Sequence, residues 1–553
     1  MGRPPSRLPA GLLLAAMLGA AACGVEMSGG EERVVAGDER PAHGDTFIES
    51  SIGNVSALIP NIANDGASHD VGGQLYDGLI TRDKDLTIIP ALATSWTFSD
   101  DCRDLTFTLR EGVRWHDGAP FTAEDVVFTH ATMVNPRTPT AYREDFEAVE
   151  RIEALDAHTV RIRYKTPYAK GLSSWSMFML PKHLLESYAN EGRLREAPQN
   201  LKAPVGTGPY RFKEWRSGEK VVLVANPDYY EKGRPYISRI VYRVIPSQAT
   251  IFLELKAKGV DSASLTALQY RRQTDYPAFK KAYGRYRYTR PTLTYMALNF
   301  KDPRFADKRV RHAFAHAINK HDLMEHVILG LGKPATGPYL PETWAHNPEA
   351  RGFPYDPERA RALLAEAGWH ERDAEGYLVK DGKPFTMEIL SNQGNDERKK
   401  VAEVIQAALR DVGIKADVRM VEWATLLKEH VRKRNFDALV LGWGLGLDPD
   451  RSSFFHSAKT RPEDFNVSSY ANPEVDVLLD RGRQTCRVEE RAAAYRRVHA
   501  ILADELPVLF LYHRDSLTVL SSRIRGPRPS PAGIMHNFNE WFVPRELQRY
   551  TSG

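Results

Sequence analysis

The sequence has few of the features that mark membrane, nucleic-acid-binding or disulfide-rich proteins. It contains 3 cysteines among 553 residues, too few for a disulfide scaffold. Beyond the N-terminus, no apolar run approaches the roughly 18 residues that a membrane-spanning helix requires. Basic residues are dispersed and matched by acids, and the net charge is only +4. A small, evenly spread charge does not favour nucleic acid as a partner.

Motifs for catalysis, cofactors and metals are also lacking. There is no Gly-x-Ser-x-Gly nucleophile turn and no phosphate-binding Gly-x4-Gly-Lys. His312 and His316 have a spacing that can hold zinc, but no Glu follows the first and no third ligand is evident. "DPDRS" starts like a calcium loop at Asp448, yet its twelfth place is Lys459. We predict a protein without catalytic activity, metal or cofactor.

The N-terminus has a pattern typical of secretion. Arg3 and Arg7 precede an apolar run that ends in three alanines at position 22, as signal peptides do. Cys23 follows directly and resembles the lipid-accepting cysteine of bacterial lipoproteins, although Ala20 stands where leucine is usual. We predict a signal peptide over 1–22 and a lipidated tether over 23–43. Ordinary cleavage that removes Cys23 is the alternative.

The body of the chain predicts mixed α/β structure. "TSWTFSDD" and "LTFTLR" alternate apolar and polar residues around a turn, which indicates a hairpin. The helix that follows begins after Thr122, with acids in its first turn. Further on, "KPFTMEILSN" and "NDERKKVAEVIQAALRDVGIKADVRMVEW" give strand, helix, a tight turn at Gly413, and strand. That order predicts a parallel, right-handed crossover unit.

Several blocks together resemble family 5 extracellular solute-binding proteins, the receptors of peptide and nickel ABC importers. The blocks appear in the family's order over about 44–544: "LYDGLITRD", "IIPALATSW", "LTFTLREGVRWHDGAPFTAEDVVF", "PVGTGPYRF", "NPDYYEKGRPYI", "RVRHAFAHAINKHDL", "PATGPYLP" and "YDPERARALLAEAGW". The resemblance implies an α/β, two-lobed periplasmic-binding-protein fold (type II, cluster C) with an extra inserted domain.

The resemblance also implies the division of the chain into domains. These are lobe I over 44–67, 200–288 and 518–553, an inserted domain II over 68–199, and lobe III over 289–517. The lobes would close around an enclosed ligand. Cys102 and Cys486 are far apart in sequence and fall in different lobes on this division, so we predict two unpaired thiols.

The stretch "FDALVLGWGLGLDPD", 436–450, carries the principal site prediction. In relatives this strand end reads Gly-Trp-x-x-Asp: the tryptophan packs on the ligand and the Asp pairs with a peptide's α-ammonium. Gly442 and Trp443 match, but Gly446 occupies the Asp position. An enclosed ammonium without a carboxylate is costly. The ligand is therefore a longer peptide held elsewhere, a modified peptide or a non-peptide, unless Asp448 substitutes.

The glycines of this stretch would let backbone amides approach a ligand closely. The predicted ligand-binding residues are Asn64, Ser68, Tyr295, Asn299, Trp423, Gly442, Trp443, Gly444, Leu445, Gly446, Asp448, Arg451 and His456. For most of these residues a structural role is the competing interpretation: Trp443 as a core residue, and Asp448 with Asp450 as caps of a turn.

Three functions remain open on the sequence. The first is a monomeric, exported lipoprotein that captures oligopeptides and delivers them to ABC permease subunits, anchored to the membrane by its lipid. The second keeps the fold but binds a nickel complex or an oligosaccharide. The third is a secreted hydrolase, for which no water-activating pair can be assembled.

Overall fold

The computed structural model describes residues 40–550, so the predicted signal peptide and Cys23 lie outside the described residues. Twenty-one strands occur in this part of the chain. They are β1 (Gly44–Ser51), β2 (Ile80–Arg82), β3 (Ile88–Pro90), β4 (Ala93–Phe98), β5 (Asp104–Leu109), β6 (Val149–Asp156), β7 (Thr159–Tyr164), β8 (Tyr210–Arg216), β9 (Lys220–Ala225), β10 (Ile237–Val244), β11 (Ser262–Ser264), β12 (Tyr283–Thr289), β13 (Thr292–Leu298), β14 (Gly332–Pro334), β15 (Glu371–Arg372), β16 (Leu378–Lys380), β17 (Lys383–Pro384), β18 (Thr386–Asn392), β19 (Lys415–Val421), β20 (Ala438–Gly444) and β21 (Val508–Ser521).

The α-helices range from single turns to four or five turns. They are α1 (Gly66–Leu75), α2 (Ala123–Val134), α3 (Glu144–Glu147), α4 (Lys182–Glu191), α5 (Pro198–Leu201), α6 (Gln248–Lys256), α7 (Pro277–Ala282), α8 (Pro303–Ala306), α9 (Lys308–Ala317), α10 (Lys320–Asp322), α11 (Pro357–Glu366), α12 (Asp396–Asp411), α13 (Trp423–Thr425), α14 (Ser452–Phe455), α15 (Pro473–Arg483) and α16 (Val488–Glu505). None of the helices within 40–550 is both long and apolar enough to cross a membrane.

The largest sheet has 12 strands, of which ten follow the order β19-β18-β20-β13-β21-β11-β1-β10-β9-β8, while β12 and β14 also pair with β21. The long strand β21 joins the two halves of this sheet. Its first part pairs with β13, up to Tyr512, and its second part pairs with β12, from Asp515 onwards. The chain crosses between the halves a second time at Arg290 and Pro291, between β12 and β13.

The predicted crossover unit is confirmed by β18, α12 and β19. The two strands pair in parallel from Thr386 with Lys415 to Asn392 with Val421. The turn after α12 uses Gly413 at φ +95°, a left-handed conformation that glycine adopts without strain. The helix buries an apolar stripe of Val401, Ala402, Ile405 and Leu409. The residues spaced by three and four positions therefore cover one face of the sheet.

A separate four-stranded sheet has the order β4-β5-β7-β6. The predicted hairpin is confirmed, because β4 and β5 pair antiparallel from Phe98 with Leu105 upwards. This sheet has its own core, which includes the fully buried side chains of Phe107, Trp115 and Trp175. A sheet with its own core gives this part of the chain an independent packing centre.

The prediction of two unpaired thiols is wrong. Cys102, in the β4–β5 turn, and Cys486, in the loop between α15 and α16, form a disulfide across 384 residues of sequence. Their Cα atoms are 6.4 Å apart, within the range that a disulfide spans. The fold packs the hairpin tip against the α15–α16 loop, and sequence separation carried no information about that contact.

Candidate functional site

Trp443 lies at the end of β20 and is the centre of an aromatic cluster. It is 8 % exposed, and its ring centroid is 3.9 Å from that of Tyr295 and 4.7 Å from that of Phe454. Phe455 contacts it edge-on. The backbone of Trp443 is fixed by its pairing on β20 with Leu293 of β13. The cluster holds the indole in one orientation at the point where the strand leaves the sheet.

The glycines around Trp443 differ in their surroundings. A Cβ on Gly442 would lie 3.0 Å from Arg398 Nη2 and 3.3 Å from the Leu293 carbonyl oxygen. Gly444 has no atom within 4 Å of such a Cβ, and Gly446 has only the Asp448 carbonyl oxygen at 4.0 Å. The backbone at Gly444 and Gly446 is therefore open, whereas at Gly442 there is no room for a side chain unless Arg398 moves.

Leu445 lies between the two open glycines and anchors them. Its side chain is buried, and its backbone N–H donates to the Pro291 carbonyl oxygen at 2.7 Å. This bond ties the segment after β20 to the crossing between β12 and β13. Leu445 thus contributes its backbone, and its side chain faces the core.

The carboxylate of Asp448 is paired within the protein. Both of its oxygens lie 2.8 Å from Arg491 Nη2, which donates to them. Its Oδ1 also accepts from the backbone N–H of Asp450 at 2.9 Å. An acid held this way has little capacity left for a ligand ammonium, and the arrangement matches the turn-capping interpretation.

Arg451 and His456 are also engaged within the chain. Arg451 is buried, and its guanidinium donates to the carbonyl oxygens of Asp448 and Asp450, at 2.6 and 3.0 Å. His456 lies between two acids, with Nε2 3.7 Å from the Asp480 carboxylate. That carboxylate raises the pKa of His456. Both side chains are therefore engaged by other groups of the chain.

In the first half of the chain, Asn64 precedes α1 and Ser68 lies in the first turn of that helix. The Ser68 hydroxyl accepts from the backbone N–H of Ser56 and donates to Asp65 Oδ2, both at 2.9 Å. The Asn64 Oδ1 is buried and has no hydrogen-bond partner among the described residues. Ser68 thus fixes the loop, while Asn64 has an acceptor left over.

The remaining predicted residues are divided between the core and the surface. Tyr295 is 1 % exposed, and burial raises its pKa. Asn299 is buried, and its Nδ2 donates to the carbonyl oxygens of Arg434 and Phe436 at 3.0 Å. Trp423 is half-buried and lies against Gly53, whose built Cβ would be 3.6 Å from the indole. Trp423 therefore bridges the two halves of the large sheet.

Arg398 was missed by the sequence analysis. It sits in the first turn of α12, and its Nη1 donates to Asn392 Oδ1 at 2.7 Å. Within 40–550 no carboxylate lies within 4.0 Å of its guanidinium, although the side chain is half-buried beside Gly442. Burial lowers its pKa, and nearby Tyr295 and Glu397 oppose that shift. In the run "NDERKK" no spacing distinguished it from its solvated neighbours.

Two acids near the start of the chain's first half are also perturbed. Burial raises the pKa of Glu49 on β1 to about 8 and that of Asp70 on α1 to about 6, the latter opposed by Arg290. Arg290 directly precedes Pro291, to which Leu445 is bonded. Asp70 therefore lies within electrostatic range of the crossing residue Arg290.

Two sheet halves joined by two crossings thus present an aromatic cluster and open glycine backbone at the end of β20. A model of the bacterial extracellular solute-binding proteins, family 5, matches residues 87–465. The chain belongs to this family. The family comprises solute-binding proteins rather than enzymes, and its members act outside the cytoplasm.

Individual relatives match nearly the whole chain. The oligopeptide-binding protein AppA of Bacillus subtilis is 30 % identical over 97 % of this chain and 98 % of its own length. Its structure with a nonapeptide superposes with a TM-score of 0.86, covering 91 % of this chain and 100 % of that chain at 29 % identity.

Two further relatives have other ligands in their names. Heme-binding protein A of Haemophilus influenzae is 29 % identical over 94 % of this chain and 96 % of its own length. NikZ of Campylobacter jejuni, solved with Ni(L-His), has a TM-score of 0.81 at 28 % identity, covering 90 % of this chain and 99 % of that chain. The two-lobed α/β fold is common to these structures and this chain.

Proposed function

We propose that this chain captures oligopeptides outside the cytoplasm and delivers them to the permease of an ABC importer. The observation that carries the proposal is the match to AppA in complex with a nonapeptide, at a TM-score of 0.86 over 91 % of this chain. The strand end at Trp443 supports it, because the open backbone at Gly444 and Gly446 leaves room for an extended peptide to add alongside.

The proposed mechanism is ligand-driven closure. Lobe I (44–67, 200–288, 518–553) carries domain II (68–199) and faces lobe III (289–517). A peptide that touches both lobes only when they are together shifts the population towards the closed form. The permease then recognises the closed form. The residues proposed to contact the ligand are Asn64, Trp423, Gly442, Trp443, Gly444 and Gly446, with Arg398 added. Those that are engaged within the chain are proposed to position this site: Ser68, Tyr295, Asn299, Leu445, Asp448, Arg451 and His456.

The charges at the site support a longer peptide. Gly446 offers no carboxylate to an α-ammonium, and Asp448 is occupied by Arg491. Arg398 instead presents a cation without an acid partner among the described residues. A peptide whose N-terminus extends beyond Gly446, and which places a carboxylate or carbonyl oxygen at Arg398, matches this pattern.

We also propose that Cys23 carries the lipid that anchors a monomeric protein to the membrane. The alanine-rich sequence before it supports this modification. Mass spectrometry of the mature protein tests it: a diacylglycerol on an N-terminal Cys23 is expected, and an unmodified N-terminus beyond Cys23 would contradict it.

Mass spectrometry of solutes released from the purified chain tests the proposed function. A set of short peptides is expected. A single nickel complex or oligosaccharide would contradict the peptide assignment while keeping the fold's role, and turnover of a hydrolase substrate panel would contradict a binding function.

A further inference from the structure

The segments 68–199 and 289–517 meet where the region of the four-stranded sheet contacts the α15–α16 connection. The Cys102–Cys486 disulfide is one link across it. The backbone N–H of Ala169 donates to the Arg483 carbonyl oxygen at 2.8 Å, which is a second link. Both contacts join the four-stranded-sheet region to the start of the α15–α16 connection.

The same interface contains a buried network of charges. From the first segment comes Glu144, whose Oε2 lies 3.0 Å from Lys459 Nζ and 3.1 Å from Arg483 Nη2. From the second comes Asp450, whose Oδ2 accepts from Arg483 Nε at 2.8 Å and lies 3.5 Å from Lys170 Nζ. Both carboxylates are almost fully buried. Each acid thus has a cation from the opposite segment.

We propose that the Cys102–Cys486 disulfide is a redox latch: by joining domain II (68–199) to lobe III (289–517), it holds the lobes closed and controls release of the ligand. The inference rests on the proposed function, since it requires that the lobes open to exchange a solute. The charge network can dissociate and be rehydrated when the lobes part. The disulfide cannot, because it restrains the two Cα atoms to less than about 7 Å.

The latch requires a dithiol as reductant. Its thiolate attacks Sγ of Cys486, the half-buried partner, and the S–S bond breaks with the buried Cys102 leaving as a thiolate. The second thiol of the reductant then displaces Cys486 and closes its own disulfide. Two electrons and two protons pass from the dithiol to the two cysteines, and an oxidising disulfide reverses the step.

Retention of the copurified solute tests the latch. Wild-type chain purified without reductant is dialysed with and without dithiothreitol, beside the Cys102→Ser/Cys486→Ser variant, and the solute left is measured by mass spectrometry. Reduction and the double variant are each expected to shorten the retention time at least about ten-fold. Equal retention in all three samples would overturn the proposal, as would two titratable thiols in the unreduced chain.

Amide hydrogen exchange gives a readout that needs no ligand. Exchange at Ala169 and around Arg483 is expected to speed up about ten-fold on reduction, while β8 and β9 stay unchanged. Unchanged exchange at the interface would overturn the latch. A chain that holds no peptide in any redox state contradicts the proposed function, and the exchange measurement still decides the latch.

Glu144→Gln separates the covalent link from the charges. In the oxidised chain this variant is expected to keep solute retention within about two-fold, because the disulfide still restrains the interface. In the reduced chain it should shorten retention further. A large loss in the oxidised variant would mean that the charges, and not the disulfide, hold the lobes, and would overturn the proposal.

Discussion

The indole of Trp443 packs on the phenol ring of Tyr295 with 3.9 Å between ring centroids, across the paired strands β20 and β13. Tyr295 is thereby the platform that orients Trp443. An aromatic side chain held in place loses little conformational entropy when a ligand packs on it. A binding role for Trp443 would therefore use a side chain that is already fixed before a ligand arrives.

Replacing Trp443 with Ala is expected to weaken peptide binding by about 10- to 100-fold, since the flat contact and the fixed backbone at Gly444 are both lost. Isothermal titration with a peptide found in the copurified set measures it. The Trp96→Ala variant, which removes a half-buried tryptophan of β4, serves as the control and should bind normally. Undiminished affinity in the Trp443 variant would remove this residue from the site.

Replacing Arg398 with Gln is expected to lower affinity for peptides with a free C-terminal carboxylate more than for the same peptides as amides. Charge-assisted hydrogen bonds contribute about 1.5–3 kcal/mol each, so the difference should exceed about ten-fold. Arg410→Gln, on the exposed end of the same helix, is the matched control. Equal losses for acid and amide would argue that Arg398 does not read a carboxylate.

Asp448→Asn is expected to destabilise the fold and leave ligand affinity within about two-fold. The change removes the charge that pairs with the buried Arg491, at a cost of about 1.5–3 kcal/mol. Urea denaturation gives the stability and titration gives the affinity. Should affinity fall far more than stability, Asp448 contacts the ligand after all.

Lowering the pH is expected to weaken the interface between residues 68–199 and 289–517. Burial opposes ionisation of Glu144, but Arg483 and Lys459 outweigh it and lower the pKa of Glu144 from its ordinary 4.5 to about 2. The pKa of Asp450 is also depressed, since Arg483 and Lys170 outweigh its burial. A depressed folded-state pKa stabilises above the unfolded value and loses that contribution as the pH falls.

The free energy of unfolding should therefore drop as the pH falls from about 4.5 to about 2. Denaturation midpoints across this range measure the drop, and Glu144→Gln provides the control because it removes one of the titrating groups. A variant with the same pH dependence as the wild type would show that Glu144 does not contribute.

Local patterns in the sequence predicted the β4–β5 hairpin and the β18–α12–β19 unit, because alternation and helical periodicity are set by neighbours along the chain. Contacts between distant segments could not be predicted this way. The Cys102–Cys486 bond and the Asp448–Arg491 pair each join segments whose approach depends on the whole fold. Arg398 was missed for the same reason, since the lack of a carboxylate within 4.0 Å of its guanidinium among residues 40–550 depends on the whole fold.

The crossing between the sheet halves at Arg290 and Pro291 is short and stiff. Proline fixes its own φ near −65°, and the residue before it is restricted to extended conformations, so Arg290 and Pro291 together contribute few soft dihedral angles. The crossing through β21 is paired along its whole length, with β13 up to Tyr512, with β14 from Tyr512 to Arg514 and with β12 from Asp515 onwards. Any rotation of one half against the other therefore has to bend or break this pairing, so neither crossing is a flexible linker.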